Sequence, residues 1–228
     1  MKLEILYEDN HILAVNKPSG TLVQGDKTGD IPIVEHGKAY IKKKYNKPGA
    51  VYLGIPHRID RPVSGVLLLA KTSKALERLN KQFREKEIQK TYWAVVKEMP
   101  SKKEDTLTHY LIKNQQKNRS RATEKMMKGA LLSELSYKMV ARSNAYFLLE
   151  VYPKTGRHHQ IRVQLSTIGC PIKGDIKYGF KRPNADKSIH LHARKISFIH
   201  PVKKEPVEII APVPNETVWQ AMRKTNKK

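Results

Sequence analysis

The sequence predicts an α+β fold built on a mixed, mainly antiparallel sheet. Short segments rich in β-branched and aromatic residues recur along the chain and dominate its second half. Helical periodicity is confined to a few stretches, and Pro and Gly punctuate the polar loops between apolar runs. At 228 residues, with no internal repeat and no low-complexity linker, the chain has room for one catalytic-size domain or two half-domains sharing a sheet, divided near residue 98.

Residues 3–7 and 12–15 read as short strands separated by Glu8-Asp9-Asn10, and Lys17-Pro18-Ser19-Gly20 is a sharp breaker after the second. Residues 36–47 carry five lysines and no acid around Tyr40, Ile41 and Tyr45, the composition of a basic amphipathic helix able to touch phosphate. A charged loop, residues 55–65, feeds a buried-strand run at 66–70. Ser73 can cap a helix that turns Leu76, Leu79 and Phe83 to one side. Strand composition returns at 91–96, 106–112, 131–140 and 146–152. Between them, residues 113–128 set Lys113, Lys117, Arg119, Arg121, Lys125 and Lys128 against Glu124 alone, which predicts an exposed basic loop suited to clamp a polyanion. Thr155-Gly156 is the expected start of a helix that runs through Arg157, places Arg162 one turn beyond His158, buries Ile161, Leu165 and Ile168, and stops at Gly169. Residues 189–198 read as strand, 201–214 as an extended Pro-rich segment and 223–228 as a flexible basic tail.

Lys and Arg total 44 against 21 for Asp and Glu, a formal charge of +23. Solubility needs only a few net charges, so an excess of this size asks for an anionic partner, and a polyphosphate fits charge spread along a whole chain better than a membrane or a small acid does. Cys170 is the only cysteine, which excludes an intramolecular disulfide and a cysteine-cluster metal site and suits a reducing cytoplasm. The first residues lack a signal peptide's apolar stretch, and the longest aliphatic run, 66–70, is far too short for a membrane span. His190 and His192 alternate on a predicted strand, but zinc would need further ligands at suitable positions, so no metal is expected.

At separated places the chain resembles the pseudouridine synthases that modify ribosomal and transfer RNA, the large bacterial group with an HRLDR-type catalytic motif. The matching segments are Asn16-Lys17-Pro18-Ser19-Gly20, then His57 to Gly65 (HRIDRPVSG) with Ala70-Lys71, then Lys90-Thr91-Tyr92, Thr155 to Gly179 (TGRHHQIRVQLSTIGCPIKGDIKYG), and Leu191-His192-Ala193 with Phe198-Ile199-His200-Pro201. Their order and spacing agree with the family over nearly the whole chain. Three positions depart from it: His158 where Thr is usual, Gln164 where His is common, and Val63 for a frequent Thr. None removes a charge the chemistry requires. Many members carry a small N-terminal RNA-binding domain, and this chain starts directly at the catalytic domain's first strand.

The resemblance implies a catalytic fold with flanking helices and an RNA-binding cleft, and isomerisation of uridine in ribosomal or transfer RNA without a cofactor. Asp60 is then the catalytic carboxylate, acting as nucleophile or base, with Arg162 paired to it and Tyr92 against the uracil. Arg58 fills the gap left when a uridine leaves the stack, and Ile161 walls the base. If the Asp60 segment is extended, Arg58 and Asp60 share a face and Arg61 points away. The other basic motif residues, Lys17, His57, Arg61 and Arg157, are expected to contact RNA, and Asp175 belongs to a structural turn. No obligatory protein partner is implied, and polar surface positions favour a monomer. Two rivals remain: a non-catalytic RNA-binding or ribosome-assembly protein on the same fold, for which Asp60 is dispensable, and a hydrolase, which usually needs a second carboxylate across the scissile bond.

Overall fold

The computed structural model describes residues 1–26 and 28–225. In chain order its elements are β1 (Ile5–Glu8), β2 (Ile12–Lys17), α1 (Ile33–Lys44), β3 (Ser64–Ala70), α2 (Ser73–Arg84), β4 (Gln89–Val96), β5 (Glu104–Asn114), β6 (Arg119–Thr123), β7 (Leu131–Arg142), β8 (Phe147–Pro153), α3 (Gln160–Thr167), β9 (Leu191–Ile199), β10 (Pro206–Ile210) and α4 (Thr217–Thr225), with a 3₁₀ turn at Ile176–Tyr178. The fold is α+β with mainly antiparallel strand pairing, as the composition predicts. Two compact units form, one of Met1–Lys90 with Ala193–Val213, the other of Thr91–His192 with Pro214–Lys228. The sequence put a divide near residue 98; the chain first crosses between units at Lys90–Thr91 and later returns to the first for 21 residues, Ala193–Val213.

In the first unit β2 pairs antiparallel with β1 and β3, β3 neighbours β9, and β10 pairs antiparallel with β9. All seven residues of β3 are buried, which explains why the run reads as continuously apolar rather than alternating. Helix α2 packs on β3 and buries Ala75, Leu79 and Gln82, whose amide donates to the Ile199 carbonyl of β9 at 2.9 Å. Its cap is Thr72, whose hydroxyl accepts the Ala75 N–H at 3.2 Å, one residue before the expected Ser73. Helix α1 starts at Ile33, three residues ahead of the lysine-rich stretch that predicts it, because Ile33 and Val34 enter the core.

Glu8 ties the end of α1 to β1. Its carboxylate accepts from Tyr40 (2.8 Å), Lys44 (2.7 Å), Tyr45 (2.7 Å) and Lys71 (3.0 Å). Burial pushes this carboxyl up, but the donors Lys44, Tyr45, Lys71 and Tyr40 prevail and hold it at about 2.

In the second unit the strand order is β4-β8-β7-β5-β6. The basic loop expected over 113–128 is partly strand: Lys113 lies near the end of β5, and Arg119 and Arg121 lie on β6. Arg119 and Arg121 point outward while Ser120 is buried, so a period of two hides within a run that composition reads as loop. Only 115–118 and 124–130 remain as connections. The Pro-rich segment 201–214 contains β10. Of the basic tail expected at 223–228, residues 223–225 finish α4 and 226–228 lie outside the described residues. Helix α4 is anchored by buried Trp219 and Met222. His190 stacks on Trp219 at 5.2 Å, with Nε2 3.0 Å from the Glu216 carboxylate and Nδ1 2.9 Å from the Asn184 amide. Among the described residues no helix is long and apolar enough to cross a membrane.

Unfolding experiments test two of these contacts. Gly65 has φ +115°, and a Cβ there would sit 2.3 Å from the Ala193 carbonyl oxygen, so Gly65→Ala should cost about 3 kcal/mol or more in urea unfolding. For Glu8, whose folded pKa of about 2 lies below the ordinary 4.5, the stabilisation is complete above about 4.5 and is lost as pH falls towards 2. The urea midpoint should therefore drop more steeply through that window in the wild type than in Glu8→Gln.

Candidate active site

The HRIDRPVSG segment lies in the first unit as a loop between the Gly54–Ala70 bridge and β3. Ile59 is buried, Arg58 is exposed and Asp60 is partly exposed, the alternation expected of an extended stretch with Arg58 and Asp60 outward. A turn closes the segment, with Val63 N–H donating to the Asp60 carbonyl at 3.0 Å.

Lys17 holds this loop from beneath. It has no exposed surface, and its ammonium donates to the carbonyls of Pro18 (2.9 Å), Thr21 (2.8 Å) and Arg61 (3.2 Å). Lys17 thus fastens the Asn16–Gly20 motif to the residue after Asp60, with its amine wholly buried. Burial pushes the ammonium down to about 7; Asp60 acts against that and Arg61 with it.

His57 is also turned inward. Its Nε2 accepts the Leu68 N–H at 2.9 Å, and its ring stacks on Phe83 at 4.9 Å. Burial first and Lys90 second push its pKa to about 3, which keeps the ring neutral and Nε2 an acceptor. Arg61 is exposed but engaged, with Nε donating to the Gly20 carbonyl at 2.9 Å and Nη2 to Asp30. Arg58 makes a long contact, 3.4 Å, to the Gln24 amide oxygen and is exposed.

The second unit carries Tyr92, Arg157, Ile161 and Arg162. Tyr92 is partly exposed on β4, opposite Val151 of β8. The helix expected from Thr155 begins only at Gln160, because His159 adopts φ +56°. Gln160 ties down the loop before it, its Oε1 accepting from the Thr155 hydroxyl (2.8 Å) and the Arg157 N–H (3.0 Å). Arg162 and His158 therefore do not share a helix. Arg157 is exposed, with Nε 3.3 Å from the Leu132 carbonyl, and Ile161 is buried in the first turn of α3.

Arg162 has a partner that sequence reasoning passed over. Its Nε and Nη2 donate to the two oxygens of Asp175 at 2.7 and 2.9 Å, both side chains almost wholly buried. The fork-to-fork pair fixes the guanidinium plane. Tyr178 supports it from one side, its ring 5.0 Å below the Arg162 guanidinium carbon. The Tyr178 hydroxyl accepts the buried Ser120 N–H at 2.9 Å and lies 2.8 Å from His159 Nδ1. Burial, then Arg162 and the nearby His158 and lysines, push His159 down to about 2, so the neutral ring can accept from that hydroxyl. His158 stacks on His159 at 3.7 Å, with Nδ1 2.8 Å from Ser120 Oγ. The signal for this network was the GDIKYG stretch, readable as a turn because it is one. Gln164 is buried and donates to the carbonyls of Leu107 and Ser133. Among the described residues no group of three or more His, Cys, Asp or Glu could hold a metal ion.

The profile of the RNA pseudouridylate synthase family matches residues 11–167, a span that includes the Lys17 and Asp60 segments, Tyr92 and the start of α3. The chain belongs to that family. It is 37% identical over 227 residues to the ribosomal large subunit pseudouridine synthase C of Vibrio vulnificus (strain CMCP6), covering 96% of this chain and 69% of that protein. It is 37% identical over 217 residues to the protein of the same description from Escherichia coli (strain K12), covering 92% and 66%. The chain thus spans about two thirds of the length of these relatives. The solved structure of human RNA Pseudouridylate Synthase Domain Containing 4 shares the fold, with a TM-score of 0.80 at 23% identity over 96% of this chain and 92% of that one. As a member of the family, the chain is an RNA pseudouridine synthase, an isomerase acting on uridine in RNA.

Removing the Tyr178 hydroxyl strands the Ser120 N–H and unties His159. Tyr178→Phe should lower stability by about 2 kcal/mol, read from urea unfolding, with the fold otherwise kept.

Proposed function

We propose that the substrate is ribosomal RNA, that Asp60 is the reacting carboxylate, and that the chain acts as a single catalytic domain. The observation that carries the reading is Asp60 on an outward-facing, partly exposed stretch, pinned from within by Lys17 and His57 and lying in the segment that matches the family. The relatives at 37% identity, described as acting on the large ribosomal subunit, supply the substrate class. A net charge of +23 fits a partner of that kind.

The reaction breaks the bond from ribose to a uracil nitrogen, turns the base over and rejoins ribose to carbon 5. Asp60 serves it as nucleophile or as base toward a ribose proton. A uridine must first leave its stack at roughly a few kcal/mol, and Arg58, exposed and in long contact with Gln24, is the residue assigned to fill the gap. Tyr92 lies against the uracil and assists loss of the carbon-5 proton, Ile161 supplies an apolar wall, and Arg162 serves the reaction as its cation. Arg61 and Arg157, exposed and basic, contact the RNA backbone, which positions a substrate without reading its sequence. His57 keeps the loop in place for that contact. The protein works as a cytoplasmic monomer without an obligatory partner, in keeping with its one buried cysteine.

Tritium release from RNA labelled at uridine carbon 5, prepared from a strain lacking this protein, tests the reading. Wild type should release tritium, and Asp60→Asn should be slower by about 10⁴-fold or more, as befits loss of a reacting group. Equal release by both would remove Asp60 from the chemistry. Release from transfer RNA but not from purified ribosomal RNA would overturn the substrate assignment.

A further inference from the structure

Strands β6 and β7 both neighbour β5, one on each side, so the connection 124–130 has to cross β5. This crossover and the first residues of β7 expose four large apolar side chains within seven residues: Met126 at 77%, Met127 at 46%, Leu131 at 51% and Leu132 at 47%. Such a cluster on a chain this polar asks for a partner. The loop is shaped rather than loose. The Thr123 hydroxyl donates to the Lys125 carbonyl at 2.8 Å, and a turn from Met127 to Ala130 closes at 2.9 Å around Gly129 at φ +80°.

The charges around the cluster select the partner. Lys125 and Lys128 bracket the two methionines, and outward-facing Arg121 stands on β6, with Glu124 the only acid between residues 113 and 128. Docking a second copy here would bring like basic surfaces together in a chain already at +23. A polyanion that also offers flat apolar faces satisfies both halves of the pattern, and unstacked RNA is such a polymer. The loop is also joined to the stretch leading into α3: the Leu132 carbonyl accepts from Arg157, and the Glu134 carbonyl accepts from the Lys154 N–H and the Gln160 amide.

We propose that residues 124–132 are an RNA-engaging wedge, in which Lys125 and Lys128 hold phosphates while Met126 and Met127 pack against the faces of unstacked bases. This rests on the RNA substrate assigned above. Thioethers on unbranched stems suit the role, since they conform to irregular apolar surfaces.

The test uses the full chain, a fluorescent oligouridylate probe and anisotropy across a salt series, with tritium release measured on the same preparations. Met126→Ser with Met127→Ser should bind about fivefold more weakly at every salt concentration, at the low end of what losing a stacking side chain does. Met126→Leu with Met127→Leu should bind as wild type does. Lys125→Ala with Lys128→Ala should instead flatten the dependence of log affinity on log salt by about 1.5. All three variants alter exposed side chains, and each should melt as wild type does. If the serine variant binds like wild type, or if its only change is loss of a concentration-dependent dimer in sedimentation, the wedge is wrong even where tritium release stands. Weaker binding by the serine variant, with no tritium released by the wild type, would uphold the wedge and overturn the isomerase.

Discussion

A lysine ammonium with no exposed surface must be surrounded by acceptors or give up its proton, and much of the first unit is arranged around Lys17. The three carbonyls that receive it come from Pro18, Thr21 and Arg61, so two segments about forty residues apart share one buried charge. The bond to Arg61 matters most, because the next residue back is Asp60. Gly20 N–H adds a second link to the same Arg61 carbonyl at 2.8 Å, and the Arg61 side chain returns to the Gly20 carbonyl. The loop is held through its backbone, which leaves its outward side chains available for chemistry.

The second unit solves a comparable problem with opposite charges paired. Arg162 and Asp175 are both nearly sealed from water, and such a pair is tolerable only with good geometry and satisfied donors. Two parallel bonds and the Tyr178 ring supply that geometry. His159 completes it by staying neutral, because a second cation beside Arg162 in this setting would be expensive. The left-handed backbone at His159 meets the same demand: it lets the ring reach Tyr178 while Gln160 starts the helix.

Much of this was legible in the residues. Continuous apolar composition announced β3, and β-branched and aromatic content announced β4, because those strands are set by local preference and burial. The motifs singled out Asp60, Arg58 and Arg162 as the residues to propose, because residue types in fixed order can be read without any knowledge of packing. The hidden features depended on partners distant in sequence. Lysine reads as a surface residue, and only the fold reveals that Lys17 faces inward. Arg119 and Arg121 masked a strand because their charge outweighed the alternation around Ser120. Helix α4 escaped notice because its anchor, Trp219 against His190, joins residues 29 apart. Asp175 was visible as a turn residue, but its bond to Arg162 spans 13 positions and leaves no periodic trace.

Gly65 ends the Asp60 loop with its backbone pressed against Ala193, too close for even a methyl group. A loop mounted this way has no slack at its trailing end, so the conformational entropy of placing Asp60 is surrendered during folding. Adjustment at the loop's surface is then left to exposed side chains, such as Arg58, that can swing without dragging the main chain. The tight contact converts the carboxylate's mount into a fixed reference point, and it also makes the segment intolerant of insertion or deletion, since a shift of one residue would put a side chain where only hydrogen fits.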